Sequence, residues 1–356
     1  DEIQGIEYFE LKESLNNHSI VRIKFLMDED KIRDILMQMD GTSEILITEE
    51  NEVGEDKTIF CGKAVRFFSK KEKGLCYLWT EFSSHTLEWD LTSKSQSFCR
   101  LAQPYSEVMN DVLAEYSQKD IKDEISNGSV IQDMLLQYEE TDWEFLKRFL
   151  SKYNEMLYSD TTFPDIRFEA GLSPHPEAYC WDALPFVLSQ DLDKFVELKV
   201  NGMDQLTGSQ NTMFEVASYD VVTIGSQVIY KGSPWFVEST ERIMENGLLK
   251  SVYRLRQREG LKVLPYFNQN ITGVSIDGTI SGVQRDRVQV EMEIEAGDGG
   301  SERYWFPFST VAASSDGSGW YCMPEAGESV RVYFPTDDEK EAYVVTAIKS
   351  HEPDAG

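Results

Sequence analysis

Paired carboxylates are the side chains whose type best suits them to chemistry in this chain. Asp28/Asp30, Glu139/Glu140 and Asp337/Asp338 each offer the two acids that glycoside hydrolysis uses, one to protonate the leaving group and one to act as base or nucleophile. Among 63 acidic residues such pairs arise by chance, and nothing in their spacing fixes the burial and separation the reaction needs. The cysteines and histidines say still less. Cys61, Cys76, Cys99, Cys180 and Cys322 are odd in number, widely spaced and free of any Cys-x-x-Cys pair, and read as reduced, mostly buried thiols. His18, His85, His175 and His351 do not cluster with them, so no metal-ligand spacing appears. No phosphate-binding loop, dinucleotide turn, His-Glu-x-x-His helix or serine elbow is present. The expectation is a non-enzyme without catalytic residues, cofactor or metal.

The charge balance narrows the partners. There are 34 basic and 63 acidic residues, a formal charge of −29, which repels a phosphate backbone and argues against non-specific nucleic-acid binding. Apolar residues at 41% and aromatics at 12% are enough for folded cores, and 356 residues leave room for two to four domains. The opening Asp-Glu-Ile-Gln shows neither the basic nor the apolar region of an export signal, and no apolar run approaches the roughly 20 residues of a membrane span. Synthesis in the cytoplasm without a signal peptide is therefore expected.

The elements that must hold these side chains can be read from periodicity. Thr141 is a good N-cap and Glu144, three residues on, can return a bond to the cap N–H; Leu146, Phe149, Leu150 and Tyr153 then lie on one face, so a docking helix is expected. Its opening acids and the later Lys147, Arg148 and Lys152 complement the helix dipole. Alternation over residues 18–26, 57–69 and 75–91 predicts half-buried strands, with a short helix capped by Asp28 and carrying Ile32, Ile35, Leu36 and Met39. These make a small β-barrel with one covering helix. Pro104 opens a second amphipathic helix through Val108, Met109, Val112 and Leu113. Strands are predicted at 196–200, 213–222, 227–230 and 235–243, and Asn246-Gly247 predicts a hairpin turn before Leu249. After the Asn-rich connector 265–273, five short strands with Gly- and Asp-rich loops suit an OB-type barrel.

The wording of residues 137–150, Gln-Tyr-Glu-Glu-Thr-Asp-Trp-Glu-Phe-Leu-Lys-Arg-Phe-Leu, resembles the Gln-Tyr-x-Glu-Ser/Thr-Asp-x-x-Phe-Leu-x-Arg-Leu signature of the central hub proteins of contractile injection machines. These are the valine-glycine repeat protein G of type VI secretion, the late control protein D family of contractile-tailed phages, and the hubs of phage-tail-like bacteriocins. Gln137, Tyr138, Glu140, Asp142, Phe145, Leu146 and Arg148 match, while Phe149 replaces the usual Leu. Gly282-Val283, Arg287-Val288-Gln289-Val290, Trp320, Pro324-x-x-Gly327-x-x-Val330-x-Val332-x-Phe334 and Tyr343-Val344-Val345 resemble, in order, the OB domain of the same family.

The resemblance implies a mainly β chain with a few helices, made of two tube-type β-barrel domains plus a C-terminal OB-fold barrel. The implied domains are residues 1–100, a first tube-like barrel; 101–175, a helical bracing region; 176–268, a second tube-like barrel; and 272–350, the OB spike base. It further implies a homotrimeric structural hub that joins a hexameric inner tube to a membrane-piercing spike, contacts other baseplate components, binds no specific nucleic acid and meets membrane only by piercing. Such a chain would be incorporated into a phage tail, bacteriocin or injection particle. The alternative is a cell-wall hydrolase fragment of a tail lysin. Tyr138, Trp143, Phe145 and Arg148 are candidates for bracing the barrels, and Trp305, Trp320 and Tyr321 for contacts between subunits, since aromatics are enriched in interface cores.

Overall fold

The computed structural model describes residues 3–50, 56–116, 119–172, 176–296, 303–309 and 323–346. It is mainly β with a few helices, as expected. The chain divides into two compact units, one of residues 1–90, 116–125 and 150–265, the other of residues 91–115, 126–149 and 266–356.

The first unit is built on an 11-stranded sheet. Its main path runs Phe186–Gln190, Thr212–Ser218, Leu248–Arg256, Ser233–Glu245, Gly5–Ser14, Ile20–Leu26, Leu75–Ser83, Asp56–Glu72 and Glu44–Glu50, every neighbour antiparallel. Gln227–Tyr230 lies beside Ser233–Glu245, and Pro176–Cys180 runs parallel to it. Segments on either side of residue 150 therefore share one sheet, joined where Leu11 faces Arg242. Behind that junction Arg242 is fully buried and forms an ion pair with Glu13, which also accepts a 2.8 Å bond from Thr161 Oγ1. A three-stranded sheet of Lys119–Asp123, Ile166–Ala170 and Leu157–Ser159 completes the unit.

Local sequence explains several of these elements. Asn246 and Gly247 both take positive φ, 53° and 80°, the geometry of a two-residue hairpin that Asn-Gly tolerates, and Glu245 pairs with Leu248 across it. The predicted strand at 75–91 stops at Ser83 and gives way to the 3-10 helix His85–Asp90. Residues 196–200 are not a strand but the end of the helix Leu192–Val200. Asp191 caps it by accepting from Lys194 N at 3.0 Å, and a bonded cap outweighs the β preference of two valines. Asp28 flanks the helix Glu29–Gln38 without capping it and accepts instead from Gln4 Nε2 at 2.8 Å.

The second unit holds a five-stranded sheet in the order Trp305–Pro307, Arg287–Met292, Ser275–Gln284, Ser329–Tyr333 and Tyr343–Thr346. A parallel bridge between Phe308 and Val344, with Ser309 N donating to Val344 O at 2.8 Å, brings its first and last strands together as an OB barrel requires. Val288, Val290, Met292, Val330 and Val332 alternate inward as their period-two pattern dictates. Gly278 is needed where strands crowd, because a Cβ there would sit 2.6 Å from Val290 Cγ1 and 2.7 Å from Glu291 O. Leu136 enters the same apolar core from a two-stranded ladder of Ser93–Phe98 and Leu135–Thr141, and Cys99 and Met134 enter it from the residues that flank those strands.

Candidate functional site

The residues of the 137–148 stretch converge on one buried polar knot within the second unit. Its foundation is the helix start. Thr141 N donates to Glu144 Oε2 and Glu144 N donates to Thr141 Oγ1, each at 3.1 Å, a completed capping box that opens the helix Asp142–Ser151. Just upstream the chain turns sharply, with Glu139 at φ 45°, so Gln137 can fold back and donate from Nε2 to Glu140 O at 3.0 Å and Asp142 Oδ1 at 2.9 Å. Gln96 Nε2 donates to Gln137 Oε1 at 2.6 Å, and Lys94 Nζ donates to the fully buried Asp142 carboxylate at 2.7 Å. The ladder of Ser93–Phe98 is thereby fixed to the helix start.

Arg148 lies two turns on and points back into the knot. Its Nε and Nη2 donate to Glu140 Oε1 and Oε2 at 2.9 and 2.8 Å, the bidentate geometry a guanidinium makes with a carboxylate. Nη2 also donates to Leu136 O at 2.7 Å, and Nη1 donates to Glu339 Oε1 at 2.5 Å. All three charged groups are buried. Asn268 of the connector donates from Nδ2 to Tyr138 O at 2.8 Å, and Asn270 Nδ2 to Glu139 O at 3.2 Å. Two carboxylates around one cation leave an excess negative charge in a dry place. Burial pushes the Glu140 carboxyl above the ordinary carboxylate range, Arg148 opposes that rise and Glu339 adds to it.

Around the knot runs an aromatic ladder. Phe98 stacks on Phe145 at 5.6 Å, Phe145 on Phe149 at 6.3 Å, and Tyr105 meets Phe149 edge-on at 5.6 Å. A second ion pair joins the buried Arg303 to the half-buried Glu295 at 2.5 Å, and backbone bonds tie Ser97 N to Ile294 O at 2.8 Å and Tyr304 N to Cys99 O at 2.8 Å. The bracing segments and the OB barrel are thus one continuous body. The charges of this knot are engaged with each other and fix the geometry of the strand, helix and 3-10 turn they join.

The predicted residues fall as follows. Trp143, Phe145 and Arg148 are buried inside this unit, while Tyr138 is half-buried against the OB core. Trp305 is half-buried on its strand, its carbonyl accepting from Arg287 Nη1 at 3.2 Å; Trp320 and Tyr321 lie outside the described residues. Among the carboxylate pairs, Glu140 is held by Arg148, Asp338 caps a 3-10 turn by accepting from Lys340 N at 3.0 Å, and Asp28 and Asp30 are exposed. Cys61 and Cys99 are buried free thiols and Cys76 is half-buried; burial pushes the Cys99 thiol up to about 12. The side chains of Cys180, Cys322, His175 and His351 lie outside the described residues. Among the described residues no group of His, Cys, Asp and Glu is placed to hold a metal ion, and no helix is long and apolar enough to cross a membrane. Sequence reasoning missed Glu339, Asn268 and Lys94, whose roles arise from distant chain segments and carry no local signal.

Residues 277–348 match the family described as the type VI secretion system/phage-baseplate injector OB domain. The C-terminal module is thus similar to the injector OB domain and has the strand order of an OB barrel. Solved structures extend the likeness over the rest of the chain. The E. coli c3393 protein, described as a component of the type VI secretion system with structural similarity to the T4 bacteriophage tail proteins gp27 and gp5, is 11% identical with a TM-score of 0.61, over 96% of this chain and 98% of that one. A chain of the Francisella PdpA-VgrG complex is 10% identical with a TM-score of 0.60, over 99% of this chain and 75% of that one. The 43 kDa tail protein of prophage MuSo2 from Shewanella oneidensis is 10% identical with a TM-score of 0.53, over 73% of this chain and 95% of that one. A search of curated proteins by sequence gives no match. The resemblance to the hub and spike proteins is borne out: the chain carries their fold, with a match to the injector OB domain at residues 277–348.

Proposed function

We propose that the chain is a structural hub at the tip of a contractile tail or related secretion machine, a homotrimeric adaptor that joins a hexameric inner tube to a membrane-piercing spike. The observation that carries this reading is a fold match running almost end to end, 96% of this chain on 98% of a protein described as a type VI secretion component. In this reading residues 1–100 and 176–268 are the two tube-like domains, 101–175 brace them and 272–350 form the spike base. Three subunits then present six tube-like domains to a six-membered tube. The sheet shared by residues 1–100 and 176–268 supports that arrangement, since the pairing of Gly5–Ser14 with Ser233–Glu245 makes them one wall.

The partners are accordingly the inner tube protein, a spike or spike-tip protein and other baseplate components, and the chain acts inside a tail or injection particle. Its role is non-enzymatic. Tyr138, Trp143, Phe145 and Arg148 serve it from the interior by fixing the injector OB domain to its brace, and Trp305, Trp320 and Tyr321 are assigned to contacts between subunits. Sedimentation velocity with negative-stain imaging tests the reading. A ring-shaped trimer is expected; a monomer at every concentration, or release of reducing sugars from peptidoglycan by the purified chain, overturns it.

A further inference from the structure

The hairpin formed by Asp56–Glu72 and Leu75–Ser83 carries a charge unlike that of the rest of the chain. Residues 63–73, Lys-Ala-Val-Arg-Phe-Phe-Ser-Lys-Lys-Glu-Lys, hold five cations and one acid in a protein whose acids outnumber its bases 63 to 34. We propose that the cavity beside this run, between the hairpin and the helix Glu29–Gln38, docks an acidic segment of a partner protein that inserts one apolar side chain into it. The site lies within one unit of a single copy, so it does not depend on the trimeric reading.

The apolar part of the site is set by the helix. Ile32 is buried against Met27 and Leu78 and pins the helix to the sheet, while Leu36, four residues on and therefore on the same face, is exposed. Ile32, Leu36 and the half-buried Cys76 line a cavity of about 200 Å³. An apolar cavity of about 150 Å³ admits a benzene ring, so one leucine or phenylalanine side chain fits here. Removing such a group from water is the favourable part of the contact.

The charge of the occupant follows from the other lining residues. Arg33, Lys70 and Lys71 line the same cavity from exposed positions, and Glu29 is the one acid among them. Each cation has an acid of its own: Lys71 Nζ meets Glu29 Oε2 at 2.6 Å, Arg33 Nη2 meets Asp30 Oδ1 at 3.1 Å, and Lys70 pairs with Glu72. Ion pairs this exposed contribute little to stability, so a partner's carboxylates can take the place of these acids at small cost. The run continues past the cavity to Lys73 in the hairpin turn, where Glu72 faces Leu75 across Lys73 and Gly74. That is more cations in line than a single carboxylate would use. A polypeptide bearing several acids matches the row, and a small anion does not.

Binding of short fluorescein-labelled peptides to the full chain tests this. The probe Glu-Asp-Leu-Asp-Glu is expected to bind saturably and to weaken at least about fivefold between about 50 and about 300 mM salt. It is also expected to slow iodoacetamide modification of Cys76 at least about threefold, because its leucine fills the space beside that thiol. The probe Glu-Asp-Ala-Asp-Glu is expected to bind the same protein at least about tenfold more weakly. A Lys70→Ala, Lys71→Ala variant changes only exposed positions, and is expected to keep its far-UV circular dichroism and to lose at least about tenfold in affinity for the leucine probe. Equal affinity for the leucine and alanine probes overturns the inserted side chain and leaves only attraction between opposite charges. Binding that leaves Cys76 unprotected places the peptide elsewhere and overturns the site. Benzoate that protects Cys76 at the concentration where the peptide does assigns the cavity to a free small anion and overturns the partner segment.

Discussion

Arg148 and Glu339 stand 191 positions apart in the chain and form a buried ion pair, the guanidinium bound at the same time to both oxygens of Glu140. One residue of the helix Asp142–Ser151 thereby holds a 3-10 turn of the OB barrel, Glu339–Glu341, to the end of the strand that precedes the helix.

Breaking that knot from the centre strands two buried carboxylates. Arg148→Ala is expected to destabilise the unit containing the OB barrel by about 3–5 kcal/mol, the usual loss when one partner of a buried pair is removed. Arg148→Lys keeps the charge but not the fork, so it also weakens the unit. Denaturant unfolding followed by intrinsic fluorescence reads both, and wild-type stability in Arg148→Ala would contradict the account.

Removal of the helix cap has a smaller effect. Thr141→Ala deletes the hydroxyl that accepts from Glu144 N and is expected to lower stability by about 1 kcal/mol, measured as a shift in the urea midpoint with an unchanged slope.

The pH dependence has a defined sign. Burial raises the carboxyls of Glu140 and Glu295 in the folded chain, so the folded state holds their protons more tightly than the unfolded state does. Their contribution is fully present below the ordinary carboxylate value and is lost as pH rises through the raised one. Stability of the second unit should therefore decline as pH rises from the ordinary carboxylate range through the raised values, and Glu140→Gln should flatten the decline. Unfolding free energies measured across that range, with no difference in slope between the two proteins, would exclude this origin.

Thiol reactivity should rank by exposure and acidity. Cys76 is half-buried, while Cys61 and Cys99 are buried and pushed up by desolvation, Cys99 to about 12. In the native chain iodoacetamide is expected to modify Cys76 before either of them, as peptide mass mapping would show. Labelling of Cys99 first would mean that the OB core opens readily.

Gly278→Ala places a methyl 2.7 Å from Glu291 O, backbone that cannot yield, and should cost about 1–3 kcal/mol by overpacking. The loss should appear in the thermal unfolding of the second unit.

Much of this was legible in the residues alone. The capping box of Thr141 and Glu144, the Asn246-Gly247 hairpin, the inward alternation of Val288, Val290 and Met292, and the hub-like wording of 137–150 depend on neighbours within a few positions. Short-range geometry is fixed by rotamers and φ preferences, so sequence carries it directly. The same reasoning failed at residues 196–200, where a bonded N-cap at Asp191 overrode β-branched side chains. It also overlooked Gly5–Ser14, the strand that joins the two halves of the large sheet.

What the sequence determined by itself was the β-rich class, the amphipathic helix that Thr141 caps, and the order of the OB strands. What tertiary structure alone decided was the task of each motif residue: that Arg148 reaches Glu339, that Asn268 clasps Tyr138, and that Gly5–Ser14 joins the two halves of the large sheet. Contacts between segments more than a hundred residues apart depend on how whole sheets and helices pack, and no local preference encodes that distance.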